Sequence, residues 1–170
     1  MTGDAEKPNL LGMSQGELEA LLADLGEKPY RARQLLQWMY QRGVTDFDAM
    51  TDVPKRLRER LAQEATIDLP RIALTQPAGD GTTKWVLELA DGQHIETVYI
   101  PDDGRSTICV SSQVGCALGC RFCATGQLGF ARQLTTAEIV EQYRNADRVS
   151  QRSFGRSIGN VVYMGMGEPF

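Results

Sequence analysis

Apolar positions recur with helical spacing through the first third of the chain, and after Pro70 the period changes to two. Residues up to about Asn9 read as a disordered lead-in. Ser14 with Glu17 then forms a capping box: the Ser14 hydroxyl can accept from the Glu17 amide while the Glu17 carboxylate reaches back. Leu18, Leu21, Leu22 and Leu25 follow on one helical face, and Gly26 suits the stop. A second helix is expected over residues 29–42, burying Ala32, Leu35, Leu36 and Trp38 or Met39 and ending at Gly43. A short turn over residues 46–50 leads to a third helix. Pro54 opens it, and Leu57 and Leu61 face inward. This helical module carries no nucleophile–base pair, cysteine or phosphate loop.

Strands are expected over residues 84–89, 94–100 and 106–111, with Asp91-Gly92 as a two-residue hairpin signal between the first two. Pro70, Pro77, Gly79 and Gly81 loosen the chain, so the domain boundary is expected within residues 70–82. Two domains follow, residues 1–75 and 76–170. Thr135 and Glu138 make a second capping box, and Ile139, Val140, Tyr143 and Ala146 are the expected buried face of the helix behind it. Residues 160–164 read as a buried strand ending in Gly165-Met166-Gly167-Glu168-Pro169. Strand, helix and strand make a βαβ unit with parallel strands. Sites in such folds gather at the C-terminal strand ends.

The chemistry concentrates in Cys116-Ala117-Leu118-Gly119-Cys120-Arg121-Phe122-Cys123, a C-x3-C-x2-C run in a glycine-bearing loop. Three thiols this close in sequence can converge on one metal centre. Three thiolates hold three irons of a 4Fe-4S cubane and leave the fourth open, which is a reactive position. The alternatives are a structural zinc site or three ordinary buried thiols. This spacing resembles that of the radical S-adenosylmethionine (SAM) enzymes. Glycines followed by a carboxylate at a strand end, as in Gly167-Glu168, fit a cationic amino group, and the glycines of residues 124–132 allow close backbone approach to a cofactor. Cys109 reads equally as a buried strand thiol, a fourth ligand or a reactive thiol. Glu96 either faces solvent in the alternation or aims at the same site. His94 reads as a surface hairpin residue.

Composition is that of a globular protein, with 42% hydrophobic and 24% charged residues. No apolar run reaches membrane-spanning length, so a cytoplasmic protein with reduced cysteines is expected. The net charge is -4, so nucleic-acid binding cannot come from overall charge. Residues 28–60, however, hold eight basic side chains against four acidic ones. Such a segment can contact phosphates or can simply be a solvated helix surface.

Taken together, Ile95-Glu96-Thr97-Val98, residues 109–116, residues 120–126 and Met164-Gly165-Met166-Gly167-Glu168-Pro169 resemble the RlmN/Cfr family of radical SAM RNA methyltransferases. The resemblance implies an α/β fold. A helical accessory domain that helps bind RNA is followed by a β-hairpin and the first part of a partial (β/α) barrel. It implies methylation of carbon 2 of adenine in 23S rRNA at the peptidyl-transferase centre and of the adenine 3′ of the anticodon in tRNAs. That carbon is not nucleophilic, so the family uses two SAM molecules: one methylates a cysteine, and the other yields a 5′-deoxyadenosyl radical that activates the methyl group. Residue by residue, the resemblance makes Cys116, Cys120 and Cys123 the 4Fe-4S ligands. Gly167 and Glu168 become the SAM amino-group site, Glu96 the proton acceptor, and Cys109 the thiol that resolves the enzyme–RNA adduct through a disulfide. It also implies 23S rRNA and tRNA as partners, an electron donor such as flavodoxin, no membrane, and a monomer.

The family's pattern continues beyond Phe170, with a methyl-carrying cysteine for which this sequence has no counterpart after Cys123. The expectation is therefore a truncated barrel, inactive by itself. Two further readings stand beside this one: a carbon-8 adenine methyltransferase of the same family, and a non-enzymatic RNA-binding protein holding zinc through Cys109, Cys116, Cys120 and Cys123.

Overall fold

The computed structural model describes residues 7–102 and 104–169. The chain divides into two units, residues 1–68 and 69–170. In the first, α1 (Gln15–Asp24) starts at the Ser14 capping box, with both reciprocal bonds made. α2 (Tyr30–Leu36) runs on into a π-helical turn (Gln37–Gln41), and α3 (Lys55–Glu64) follows Pro54. The core joins Leu18, Leu22, Ala32, Leu35, Leu57 and Leu61, while Leu21, Leu25 and Leu36 are only half-buried. The π turn explains why both Trp38 and Met39 are buried rather than one of them: its i→i+5 bonding, seen in Arg42 N–H to Gln37 O at 3.1 Å, lets adjacent residues turn inward.

Residues 1–6 of the expected disordered lead-in lie outside the described residues. Pro8 and Asn9, its last part, are ordered. Thr66 N–H donates to Pro8 O at 3.0 Å, Leu10 N–H donates to Thr66 O at 2.9 Å, and the Asn9 amide donates to Asp68 O at 2.8 Å. These bonds staple the start of the unit to its end.

The second unit is built on a five-stranded sheet. Its strands are β1 (Arg71–Pro77), β2 (Thr83–Glu88), β3 (His94–Asp102), β4 (Arg105–Cys109) and a last, parallel strand. Between β4 and that strand lie β5 (Gln113–Gly115), the short α4 (Ala124–Gln127), β6 (Phe130–Gln133) and α5 (Thr136–Phe154). The last strand is β7 (Asn160–Val162). The order is β1-β2-β3-β4-β7, antiparallel except for β4 and β7, and β5 pairs with β6 in a separate two-stranded ribbon. The expected parallel βαβ unit is therefore present as β4, α5 and β7. β1 occupies the stretch expected to be a loose boundary. It is an edge strand with a register shift between Ile72 and Leu74, so its alternation is broken, and Pro77 ends it where no ladder donor is needed.

One sheet face packs on α5 through Ile95, Tyr99, Ile108 and Ala146. The buried face of α5 is more polar than the apolar spacing suggests. Ala146 is buried as expected, but Ile139, Val140 and Tyr143 are half-buried, and Gln142, Asn145 and Ser150 take the inward positions. Gln142 is fully enclosed. Its Oε1 accepts from Thr97 Oγ1 and from Ser111 N–H, both at 2.8 Å, and its Nε2 donates to Ser111 O at 2.9 Å. Ser150 Oγ and Ser106 Oγ meet the Tyr99 hydroxyl at 3.2 and 2.9 Å. No helix among the described residues is long and apolar enough to cross a membrane.

Removing the Gln142 amide leaves buried backbone and hydroxyl groups without partners. Gln142→Leu is expected to destabilise this unit by about 2–3 kcal/mol, read as lost amide-exchange protection in β3 and β4. Unchanged protection would show that the polar clasp adds nothing to stability.

Candidate functional site

The cysteine run lies between β5 and β6, and the pairing of those strands closes the loop at its base. Cys116 N–H donates to Gly129 O at 2.9 Å. Within the loop the chain folds back on itself: a Cβ on Gly126 would stand 2.9 Å from Cys120 N and 3.0 Å from Cys120 O. Only glycine fits that approach. Cys116, Cys120 and Cys123 are free and half-buried. Among the described residues no three His, Cys, Asp or Glu side chains form a ready-made ion set, so the thiols share a loop without being drawn onto one point. Their chemistry nevertheless suits a thiolate-bound centre. Backbone N–H bonds from Gly126 foremost, and also from Thr125, hold the Cys123 pKa below the usual thiol value, favouring the form that binds metal.

Arg132 ties the returning strand β6 to its surroundings. Its guanidinium grips both Glu138 oxygens at 2.8 and 2.9 Å and reaches Asp91 in the β2–β3 turn at 2.8 Å. These carboxylates raise the guanidinium pKa, and Arg132 in turn lowers that of Asp91. Burial, the largest single influence, pushes the Glu138 carboxyl up, but the bonds and charge of Arg132 together with the Thr135 cap bonds bring the net shift downward.

Cys109 ends β4 opposite Val98 of β3 and Val162 of β7. It is buried, which raises its pKa, partly offset by a backbone hydrogen bond from Met164. Glu96 lies two residues from Val98 on β3, so its side chain shares the sheet face with Cys109, opposite the face that packs on α5. Its carboxylate pairs with Lys84 Nζ at 2.9 Å and is about half exposed, at 46%. His94 is exposed at the hairpin end of β3.

The Gly165–Glu168 turn follows β7, so it and the cysteine loop emerge at the same end of two adjacent parallel strands. The turn is tied to β3 and to the start of β5: the Ser111 hydroxyl donates to Glu96 O at 2.5 Å and accepts from Met166 N–H at 2.9 Å, and Ser112 and Gln113 N–H both donate to Met166 O. The Glu168 side chain is exposed. Gly167 has φ +98, and a Cβ there would sit 2.6 Å from Gln113 Cβ. Its missing side chain thus makes room for the chain's own Gln113, where the sequence suggested room for a ligand. Ser111 and Gln113 lie in the 109–116 stretch that carries the family resemblance, but no role for either is legible in it, and Gln142 has no motif signal; their bonds to the turn after β7 and to the end of β4 reveal them.

Of the eight basic residues in 28–60, five are engaged. Arg31, Lys55 and Arg60 pair with Glu27, Glu59 and Glu64, Arg42 covers Trp38 at 4.0 Å, and Arg58 bonds the Asp48 carbonyl. Lys28, Arg33 and Arg56 are exposed and make no ion pair among the described residues.

A lowered pKa brings thiolate at lower pH, and a raised one delays it. In variants each retaining a single cysteine, alkylation of Cys123 is expected to rise below the usual thiol pKa of about 8.5. Alkylation of Cys109 is expected above it and more slowly. Cys109 labelling first as pH is raised would contradict this geometry.

Residues 8–67 match the family described as the ribosomal RNA large subunit methyltransferase N-terminal domain. The chain is 56% identical over 162 residues to the dual-specificity RNA methyltransferase RlmN of Alkalilimnicola ehrlichii, covering 95% of this chain and 44% of that protein. It is 53% identical over 175 residues to the RlmN of Marinobacter nauticus, covering 99% and 46%. A crystal structure of a radical SAM methyltransferase from Sphaerobacter thermophilus superposes with a TM-score of 0.84 at 45% identity, covering 96% of this chain and 48% of that one. The chain thus spans a little under half the length of the relatives it matches. In sequence and in fold alike, the chain matches the N-terminal half of the RlmN proteins.

Proposed function

We propose that this chain carries the radical-initiating part of a radical SAM methyltransferase that modifies adenine in RNA. The observation that carries the reading is the junction of β4 and β7. The Gly-Glu turn follows β7, which pairs in parallel with β4, and it is bonded through Met166 O to Ser112 and Gln113, where β5 starts toward the three-thiol loop. In this reading Cys116, Cys120 and Cys123 hold a 4Fe-4S cluster, and Gly167 and Glu168 receive the amino group of SAM. When bound, such a cluster supplies the electron that cleaves SAM.

The chain's own residues then divide the remaining work. Glu168 offers an exposed negative charge to the ammonium group of SAM. Glu96, restrained by Lys84, is the proton acceptor. Cys109, kept protonated by burial, is the thiol that resolves the enzyme–RNA adduct, and it shares a sheet face with Glu96. Lys28, Arg33 and Arg56 of the helical unit meet RNA phosphates, and the weak surface pairs beside them can exchange partners at little cost. The substrates are carbon 2 of adenine in 23S rRNA and the corresponding carbon in tRNA. Relatives named as dual-specificity RNA methyltransferases support RNA as the substrate class, and the choice of carbon 2 rests on the motif resemblance.

Anaerobic reconstitution is expected to give about four irons and four acid-labile sulfides per chain, with a visible spectrum that changes on adding SAM. One tightly held zinc without sulfide would overturn the reading in favour of a zinc-bound RNA-binding protein. In cells lacking the gene, the 23S rRNA adenine is expected to lose its carbon-2 methyl group, and loss at carbon 8 instead would move the activity to the carbon-8 branch.

A further inference from the structure

Gln113 is closed off from solvent, at 4% exposure, yet it carries a polar amide. Buried amides persist where their hydrogen bonds are met. Its bonds run to two places. Oε1 accepts from Glu168 N–H at 3.2 Å, and Nε2 donates to the Glu168 carbonyl at 3.2 Å. Nε2 also donates to Gln133 Oε1 at 3.2 Å, across the β5–β6 pair that closes the cysteine loop. The backbone adds to this, since Ser112 and Gln113 N–H both donate to Met166 O, at 2.8 and 3.2 Å. An amide that donates to and accepts from one residue's backbone acts as a strand neighbour would. It fixes that residue along the chain and about its own axis. Gly167 packs its bare Cα against the stem of the same side chain, so the turn cannot slide.

We propose that Gln113 is a positioning residue that holds Glu168, and with it the SAM amino-group site, in fixed register with the cysteine loop that β5 leads into. The inference rests on the reading of Glu168 as the amino-group site and adds the device that sets it. Gln113 itself touches no cofactor in this account and acts through Glu168. The carboxylate alone would be a mobile charge near the end of a three-residue strand. Clasped by Gln113, it approaches a sulfonium amino acid from one direction.

The test is equilibrium binding to the anaerobically reconstituted chain. Two probes are used: SAM, and the SAM analogue with hydrogen in place of the α-amino group. Gln113→Met removes the amide at nearly constant volume. It is expected to weaken SAM about tenfold while leaving analogue binding and iron content unchanged. In a Glu168→Gln background the same substitution is expected to add no further loss, because both changes remove one interaction. Gln113→Asn, which keeps the amide but retracts it by one methylene, provides an independent variant with the same expected discrimination. Three results would overturn the proposal: SAM affinity within twofold in both variants, equal losses for SAM and the analogue, or additive losses in the double variant. If Glu168→Gln alone bound SAM as tightly as the unsubstituted chain, the amino-group reading of Glu168 would fail instead.

Discussion

The second unit depends on a buried polar clasp. Gln142 of α5 pairs its amide with both backbone groups of Ser111, just past the end of β4, and with the Thr97 hydroxyl on β3. A half-satisfied set of this kind would cost more than an apolar contact, so the arrangement holds only if all its members are in place. Ser111 then spends its hydroxyl on Glu96 O and Met166 N–H. One helix residue thereby fixes where β4 ends, which way β5 departs and where the turn after β7 lies. The fold positions its site through hydrogen-bonding geometry more than through apolar packing, which is non-directional.

The features legible in the sequence are local ones. Both capping boxes and the βαβ unit each declare themselves within a few residues, and the structure has them where the pattern indicated; the hairpin turn at Asp91-Gly92 is also in place, but its loop has three residues rather than two, since Leu89 pairs with Gln93. The cysteine loop was equally plain, because its thiols need no distant partner. What escaped the sequence is tertiary. Gln142, Asn145 and Ser150 at helical spacing look the same whether they face water or a neighbouring strand. β1 lost its alternation to a register shift, and Trp38 and Met39 are both buried only because the helix widens there. Gln113 lies within the motif stretch 109–116, but its bonds to Glu168 appear only in the structure.

Electrostatics separates the two kinds of thiol in the same way. N–H groups of its own loop favour the Cys123 thiolate, the form needed for a metal bond, whereas burial keeps Cys109 protonated. The same unit thus holds one thiol disposed to ionise and one that resists ionisation, without added charges. The Arg132 bridge to Glu138 and Asp91 anchors β6 to the start of α5 and to the hairpin turn, so the loop's exit strand is held from two sides.

The central claim is that the cysteine loop and the Glu168 turn form one mechanically coupled site. Hydrogen exchange of the reconstituted chain, with and without SAM, tests it most directly. The account predicts that SAM slows exchange together at the amides of residues 116–129 and at those of residues 165–168. Protection confined to the loop, with the turn after β7 exchanging as before, would contradict it.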